Sequence, residues 1–421
     1  MKYSIDKVNS WNGWDPLKQV ILGNAFTPEF FEDIEDSKTR DLIQQLMYET
    51  NEDLDNIQKT LEDLGVDVVR LPHNTLTTGE KITDYANTFS EYTTWLREYD
   101  KMYLTDLWAV GLPKPMICPR DYFITMGDKV MSTLPMFNNK SLNLFNPDVY
   151  DESVRSEFLN DDNSFNWKLG PLKLSIEYLE ESFEGFERDW LNHNSVEKYK
   201  NNNDWRDMVH QTWGFWAPSI TRFGDTLVVD TNDYTNLSQV MLRKFPKFKN
   251  AAVTIGGHND STFCPIKPGH VFITRWADPE ELAIALPGWD IHIINNFDAG
   301  IPNETHDAWV NEWNQVKRAT DGRWWTESGM DHKVYTDFVD QWLNKWVGYA
   351  EETIFEVNML SVNPNTVLCL NYQKELHDKI RSIGIEPIYS RFRHRQFWDG
   401  GLHCLTLDTV REGGQNNYMN L

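Results

Sequence analysis

Cysteine is scarce in this chain. The four present, Cys118, Cys264, Cys369 and Cys404, lie far apart, with no CxxC or other metal-ligand spacing among them. That excludes a cysteine-built zinc module, and it predicts free thiols in a reducing compartment. Positive charge is short as well. Lys plus Arg number 40 against 64 Asp plus Glu, a formal net charge of −24 over 421 residues. Such a surplus disfavours nucleic acid and anionic membrane, and it suits a cationic small substrate. No apolar run is long enough to span a bilayer, and the first ten residues lack the apolar core of a signal peptide. A cytoplasmic protein is expected. Aromatics, by contrast, are plentiful. The 18 tryptophans are scattered along the chain rather than clustered at one spacing, which predicts packing rather than a sugar-stacking platform.

Strand and helix signals alternate. After the turn-rich Trp11-Asn-Gly-Trp-Asp-Pro-Leu17, the run Lys18-Gln-Val-Ile-Leu-Gly23 reads as a buried strand. Leu42, Leu46, Leu54, Ile57, Leu61 and Leu64 then follow at helical spacing, with Ser37 as cap and Gly65 as stop, before the strand Val66-Asp-Val-Val-Arg-Leu71. The same helix, glycine and strand succession recurs at Gly288 and at Gly384, which suggests a repeated αβ module. Hairpins are predicted around Gly127-Asp128 and around Lys267-Pro-Gly269. Residues 138–207 are polar and acidic and read as an excursion from a single domain spanning 1–421. Residues 303–331, with Trp309, Trp313, Trp324 and Trp325, read as a lid or an interface.

The chemistry gathers near the C-terminal end. Gly400-Gly401 leads into His403-Cys404, a loop that delivers a thiol to the mouth of a strand. A thiolate is the nucleophilic form, and Arg391, Arg393, His394, Arg395 and His403 offer a cationic neighbourhood for it. Read alone, Cys404 is equally a buried structural cysteine. Gly256-Gly-His-Asn-Asp260 supplies His258 and Asp260, two apart and therefore on one side of an extended chain, a proton shuttle beside a cation-binding carboxylate. Read alone, this too is a capped turn with a surface histidine. Asp225 and Asp121 each stand just ahead of an apolar strand, where an ordinary turn residue would also stand.

Together these blocks carry a resemblance. Asn12 to Gly23 resembles the opening of the amidinotransferase family, with Gly13 where that family has Glu. Cys118-Pro-Arg-Asp121 resembles its Pro-Arg-Asp block, and Phe223-Gly-Asp225 its acidic residue ahead of a strand. His258-Asn-Asp260 resembles its His-x-Asp block, and Gly400-Gly-Leu-His-Cys404, with Thr406 and Asp408, its nucleophile block. The five blocks occur in the family's order across nearly the whole chain.

The resemblance implies the α/β pentein fold, a five-bladed α/β propeller of modules ringed around a central site, with no cofactor and no metal. It implies that Cys404 attacks the guanidinium carbon of L-arginine and that His258 moves protons. Asp225 would orient the guanidinium and His258, while Asp121 and Asp260 clamp the guanidinium nitrogens. Arg275, in Thr274-Arg-Trp-Ala-Asp278, is the nearest arginine to hold a substrate carboxylate, displaced from the family's Asn-Pro-Asp-Arg segment. Where the glycine enzyme has paired serines, this chain has Glu351-Glu352-Thr353. The expected acceptor is glycine or another amine, and a homodimer is compatible with the reading. The alternatives are a hydrolase of the same superfamily, giving citrulline and ammonia, and a non-catalytic binding module.

Overall fold

The computed structural model describes residues 5–70, 81–82, 115–132, 149, 217–230, 247–255, 258–274, 277–294, 332–343, 357–370, 374–398, 400–419 and 421. The 138–207 excursion (Val149 apart), the 303–331 stretch, Arg275 and Glu351-Glu352-Thr353 lie outside the described residues.

Fourteen strands are described, in five small sheets. β1 (Leu17–Leu22) pairs antiparallel with β14 (Thr406–Arg411) and parallel with β2 (Asp67–Arg70), so the two ends of the chain share a sheet. β5 (Ile220–Phe223) and β6 (Thr226–Asp230) form a hairpin, and β7 (Lys249–Val253) runs parallel to β6. β8 (Phe263–Lys267), β9 (His270–Ile273) and β10 (Asp290–Ile293) repeat that pattern, as do β11 (Leu360–Asn363), β12 (Thr366–Cys369) and β13 (Glu386–Tyr389). β3 (Phe123–Met126) and β4 (Lys129–Ser132) form the fifth, two-stranded sheet. A parallel partner requires a crossover, and where it is described that crossover is a helix. The repeated module read from the glycine spacing is thus present. Isolated bridges, Ser10 to Gly127, Asn12 to Phe223 and Gly224 to Asn417, tie neighbouring sheets together.

The helix Ser37–Asp63 begins one residue earlier than a Ser37 cap would allow. Asp36 is the cap, its side chain accepting from the Thr39 amide. The glycines after the helices behave as expected: Gly65, Gly288 and Gly384 have φ of +82°, +89° and +79°. One face of the long helix buries Leu46, Leu54, Ile57 and Leu61 against Phe26, Phe30 and Phe31 and against Tyr335 and Val339 of the helix Lys333–Trp342. Each such side chain is worth roughly 1.5–3 kcal/mol on burial. A second cluster centres on Trp14, whose ring meets Phe223, Trp289 and Tyr418 edge-on at 5.2, 5.5 and 5.1 Å. Among the described residues, Trp14, Trp289 and Trp398 serve packing, as their scatter suggested. No helix among the described residues is long and apolar enough to cross a membrane.

Candidate active site

Four short segments, each just ahead of a strand, converge. They are the helical turn Pro119–Tyr122 before β3, the turn Asn259–Thr262 before β8, Asn358 before β11 and the His403-Cys404 loop before β14. A fifth segment, the 3-10 turn Ala217–Ser219 before β5, contacts two of them.

Cys404 is 1% exposed. Asn358 Nδ2 donates to its Sγ over 2.9 Å, and Sγ donates to Asp260 Oδ2 over 3.2 Å. Asn358 Oδ1 accepts from the backbone N–H of both His403 and Cys404, at 2.9 and 3.2 Å, so one amide side chain holds the loop and the sulfur together. The glycine pair makes this possible. A Cβ on Gly401 would stand 2.5 Å from Asn358 Oδ1, and one on Gly400 would stand 2.8 Å from Cys118 Sγ. The pair therefore serves close approach and not positive φ, which neither residue adopts.

Arg120 braces the loop from below. Its Nε donates to the carbonyls of His403 and Thr406, both at 3.1 Å, and its Nη2 to Asp408 Oδ1 at 2.9 Å. Asp408 also accepts from Ser10 Oγ, Arg222 Nη2 and Arg411 Nε, at 2.7, 2.7 and 2.6 Å. One carboxylate thus anchors three buried guanidinium groups, one of which holds the thiol's loop.

Asp260 Oδ2 accepts a second hydrogen bond, from His403 Nδ1 at 2.8 Å. Burial by itself would raise the Asp260 pKa. The His403 hydrogen bond and the charges of His403, His258 and Arg120 outweigh it and bring the pKa to about 2. Burial and Arg120 push the His403 pKa down from its ordinary 6.5, against the pull of Asp260. At neutral pH Asp260 is therefore the anion and His403 the neutral ring. An ionised carboxylate only accepts, so the ring proton resides on Nδ1.

Folded His403 and Asp260 both bind protons more weakly than unfolded ones. Their stabilisation is complete above the unfolded histidine value of 6.5 and declines below it as His403 must charge. It falls again between the ordinary carboxylate value of 3.8 and about 2, as Asp260 protonates. The wild type should lose stability relative to His403→Gln as the medium is taken from about pH 7 to about pH 5. Urea midpoints of the two that move in parallel over that range would exclude the effect.

A small cleft, open to solvent, adjoins these groups, and Gly13, Arg120, Pro218, Thr221, Asp260 and His403 contribute to its wall. Cys264 lines it too, but burial pushes its thiol up to about 12, which leaves it un-ionised and inert. An entering cation meets Asp260 before it meets Cys404.

Of the residues singled out from the sequence, Cys404 and Asp260 are brought into direct contact. Asp121 lies half-buried in the Pro119–Tyr122 turn, next in sequence to the Arg120 that reaches the loop. His258 immediately precedes the Asn259–Thr262 turn, as its N-cap. His258 itself is extended, Asp260 stands in the helical turn that follows, and the charge of His258 acts on Asp260. Asp225 is placed elsewhere. It forms the β5–β6 hairpin turn with Gly224 (φ +72°), accepting from Lys249 Nζ at 2.6 Å and from Thr226 Oγ1 at 2.8 Å. The cleft is lined from the opposite end of β5, at Ile220, Thr221 and Arg222.

The cationic neighbourhood expected around the thiol is also redirected. Arg393 bonds Asp53 and Glu52, His394 Nε2 meets Glu49 Oε2 at 2.7 Å, and Arg391 lies 3.7 Å from Asp53. Those carboxylates belong to the long helix, which offers stronger partners than the sulfur does. Asn358, Arg120 and Asp408 carry the site without having stood out as site residues in the sequence. Arg120 stood inside the Pro-Arg-Asp block and Asp408 beside the nucleophile block, whereas no sequence signal pointed to Asn358.

No family model matches this sequence, and no curated protein matches it. Solved structures do. The inosamine-phosphate amidinotransferase of Streptomyces griseus is 18% identical, with 98% of this chain and 99% of that chain covered, at a TM-score of 0.53. An amidinotransferase of the saxitoxin biosynthetic pathway from Microseira wollei is 16% identical, with 98% and 99% covered, at a TM-score of 0.52. Likeness at such identity is likeness of fold, and it extends over nearly all of both chains. The chain shares the fold of these two amidinotransferases.

Proposed function

We propose that this protein transfers the amidino group of L-arginine to an acceptor amine, with glycine as the acceptor, giving guanidinoacetate and L-ornithine. The observation that carries the proposal is the sulfur of Cys404 bonded to the ionised Asp260 at the wall of a cleft. We further infer that the five sheets are modules of one ring with the site at its axis. The support is that four of the segments around the cleft precede the first strand of a hairpin, in four different sheets, and the fifth precedes β14 of the remaining sheet.

A planar guanidinium entering the cleft pairs with Asp260, and Asp121 on the neighbouring turn supplies a second carboxylate. The Cys404 proton, shared with Asp260 in the unliganded arrangement, passes to His258 as the cation takes its place beside the carboxylate. A carboxylate 3.2 Å from sulfur opposes a thiolate until a positive charge stands between them. Cys404 Sγ then attacks the guanidinium carbon. The new C–S bond forms, the C–N bond to the ornithine nitrogen breaks, and His258 gives that nitrogen a proton. The amidino group stays on sulfur as a cationic thioether facing Asp260. An acceptor amine attacks the same carbon, the C–S bond breaks, and His258 takes the proton the amine loses. Arg120 and Arg222 line the cleft but are engaged by Asp408, so Arg275 is proposed to hold a substrate carboxylate.

The test is to incubate the purified protein with L-arginine, with and without glycine, and resolve the products. Ornithine and guanidinoacetate formed in step, and only with glycine present, support transfer. Citrulline and ammonia without an acceptor would replace transfer by hydrolysis. No turnover, together with a Cys404 that no guanidino electrophile labels, would leave a binding module.

A further inference from the structure

At the other end of the β8–β9 hairpin from Asp260, three metal-ligating side chains share one face of the sheet. Asp290 and His292 alternate on β10, and His270 on β9 stands opposite Asp290 in the parallel register. His270 Nδ1 lies 3.1 Å from His292 Nε2 and 3.5 Å from Asp290 Oδ2. One ligand atom from each residue falls within 4.8 Å of the others. The imidazole rings are stacked, 13° from parallel with centroids 5.4 Å apart, and Phe272 backs His292 at 4.8 Å.

We propose that His270, Asp290 and His292 bind a divalent transition-metal cation of the Zn²⁺ type, with water completing the shell. Nitrogen ligands about 2.0–2.1 Å from a tetrahedral ion stand roughly 3.3 Å apart, close to the separation of these rings. Burial holds both rings below the ordinary histidine pKa, so their lone pairs are available at neutral pH, and Asp290 offsets part of the ion's charge. The nearby cations are Lys267, which donates to the Ile383 carbonyl, and Lys379 on the helix Lys374–Ser382. They temper affinity without occupying the ligand atoms. The site joins edge strand β10 to β9 and stands apart from the thiol chemistry, adding a metal where the sequence suggested none.

The test is to titrate the chelator-treated full chain with Zn²⁺, and with Co²⁺ as a coloured probe, following absorption, melting temperature and the histidine ring NMR signals. The same titration on Cys404→Ala removes binding at the thiol. The expected result is one equivalent bound in both proteins, with the His270 and His292 signals shifting first. His292→Gln and Asp290→Asn should each weaken binding at least about tenfold, the least that losing even an outer-shell partner costs. Transfer activity of His292→Gln should be unchanged. Equal affinity in wild type and His292→Gln, or a first equivalent that leaves both ring signals in place, overturns the proposal. So does the lack of binding below millimolar Zn²⁺. Should a variant fail to fold, the ring signals of the wild type decide alone.

Discussion

Cys404→Ala is expected to abolish ornithine formation from arginine while the protein still folds. Cys264, the thiol that lines the cleft, does not replace Cys404 as nucleophile, because burial holds Cys264 un-ionised. Removal of a nucleophile that acts as part of a unit costs on the order of 10⁶ in kcat. The structural cost is small by comparison. Asn358 Oδ1 still accepts from the backbone N–H of residues 403 and 404, and Asp260 still accepts from His403. What is lost is the Asn358 to sulfur bond and the sulfur to Asp260 bond, about 2–4 kcal/mol in all. Product analysis of the variant, with circular dichroism to confirm the fold, separates the two effects. Measurable arginine turnover in a folded Cys404→Ala protein would refute covalent transfer through this residue.

Asp408→Ala should produce the largest loss of stability among single changes near the site. Its carboxylate is buried, accepts from Ser10, Arg120, Arg222 and Arg411, and is ionised. Burial would raise its pKa, but Arg222, Arg411 and Arg120 bring it well below the carboxylate range. Deleting it leaves three guanidinium groups buried without their shared counter-charge. Breaking a buried pair by removing one partner costs about 3–5 kcal/mol, a large part of the roughly 5–15 kcal/mol that holds a domain folded. Three cations depend on this one anion, so the upper end is expected. Arg120 then also loses its brace on the His403 and Thr406 carbonyls, and the nucleophile loop should loosen with it. Ser10→Ala, which removes the hydroxyl that donates to Asp408 and accepts from Arg222 Nη1 while the Ser10 carbonyl still accepts from that nitrogen, should cost about 2 kcal/mol and serve as the graded companion. Urea unfolding of the three proteins checks the ordering; an Asp408→Ala midpoint at or above that of Ser10→Ala would contradict it.

The periodic features of the fold were legible because they are local. Leucines at helical spacing ahead of Gly65, and the hairpins at Gly127 and Gly269, require only neighbouring residues to agree, and they occur as expected. The blocks of resemblance led to the fold for the same reason, each being a short run of contiguous residues. Trp14 shows how far this reaches: its motif was visible, while its burial against Phe223, Trp289 and Tyr418 involves residues from distant stretches.

The site was legible only in part. Cys404 and Asp260 were found from their sequence blocks. Asp225 was placed at the site on the same kind of evidence, yet it forms a hairpin turn paired with Lys249. A carboxylate ahead of a strand looks the same from the sequence at either end of a hairpin, and only the pairing of β5 with β6 decides which end it occupies. The arginines crowded around the nucleophile block seemed to activate it by proximity in sequence. In space, Arg393 and His394 turn to the acidic face of the helix Ser37–Asp63, more than 300 residues earlier in the chain.

Chain order and residue type alone settled that an acidic, cysteine-poor chain alternates strands and helices and presents a thiol after a glycine pair. Tertiary structure decided what that thiol faces: a carboxylate and an amide from the entrances of two hairpins, with its loop held by one of three arginines that share one aspartate. The physical reason is range. Helix caps and turns are fixed by groups a few residues apart, whereas burial and hydrogen bonding act on whatever the fold brings within about 3 Å, regardless of separation along the chain.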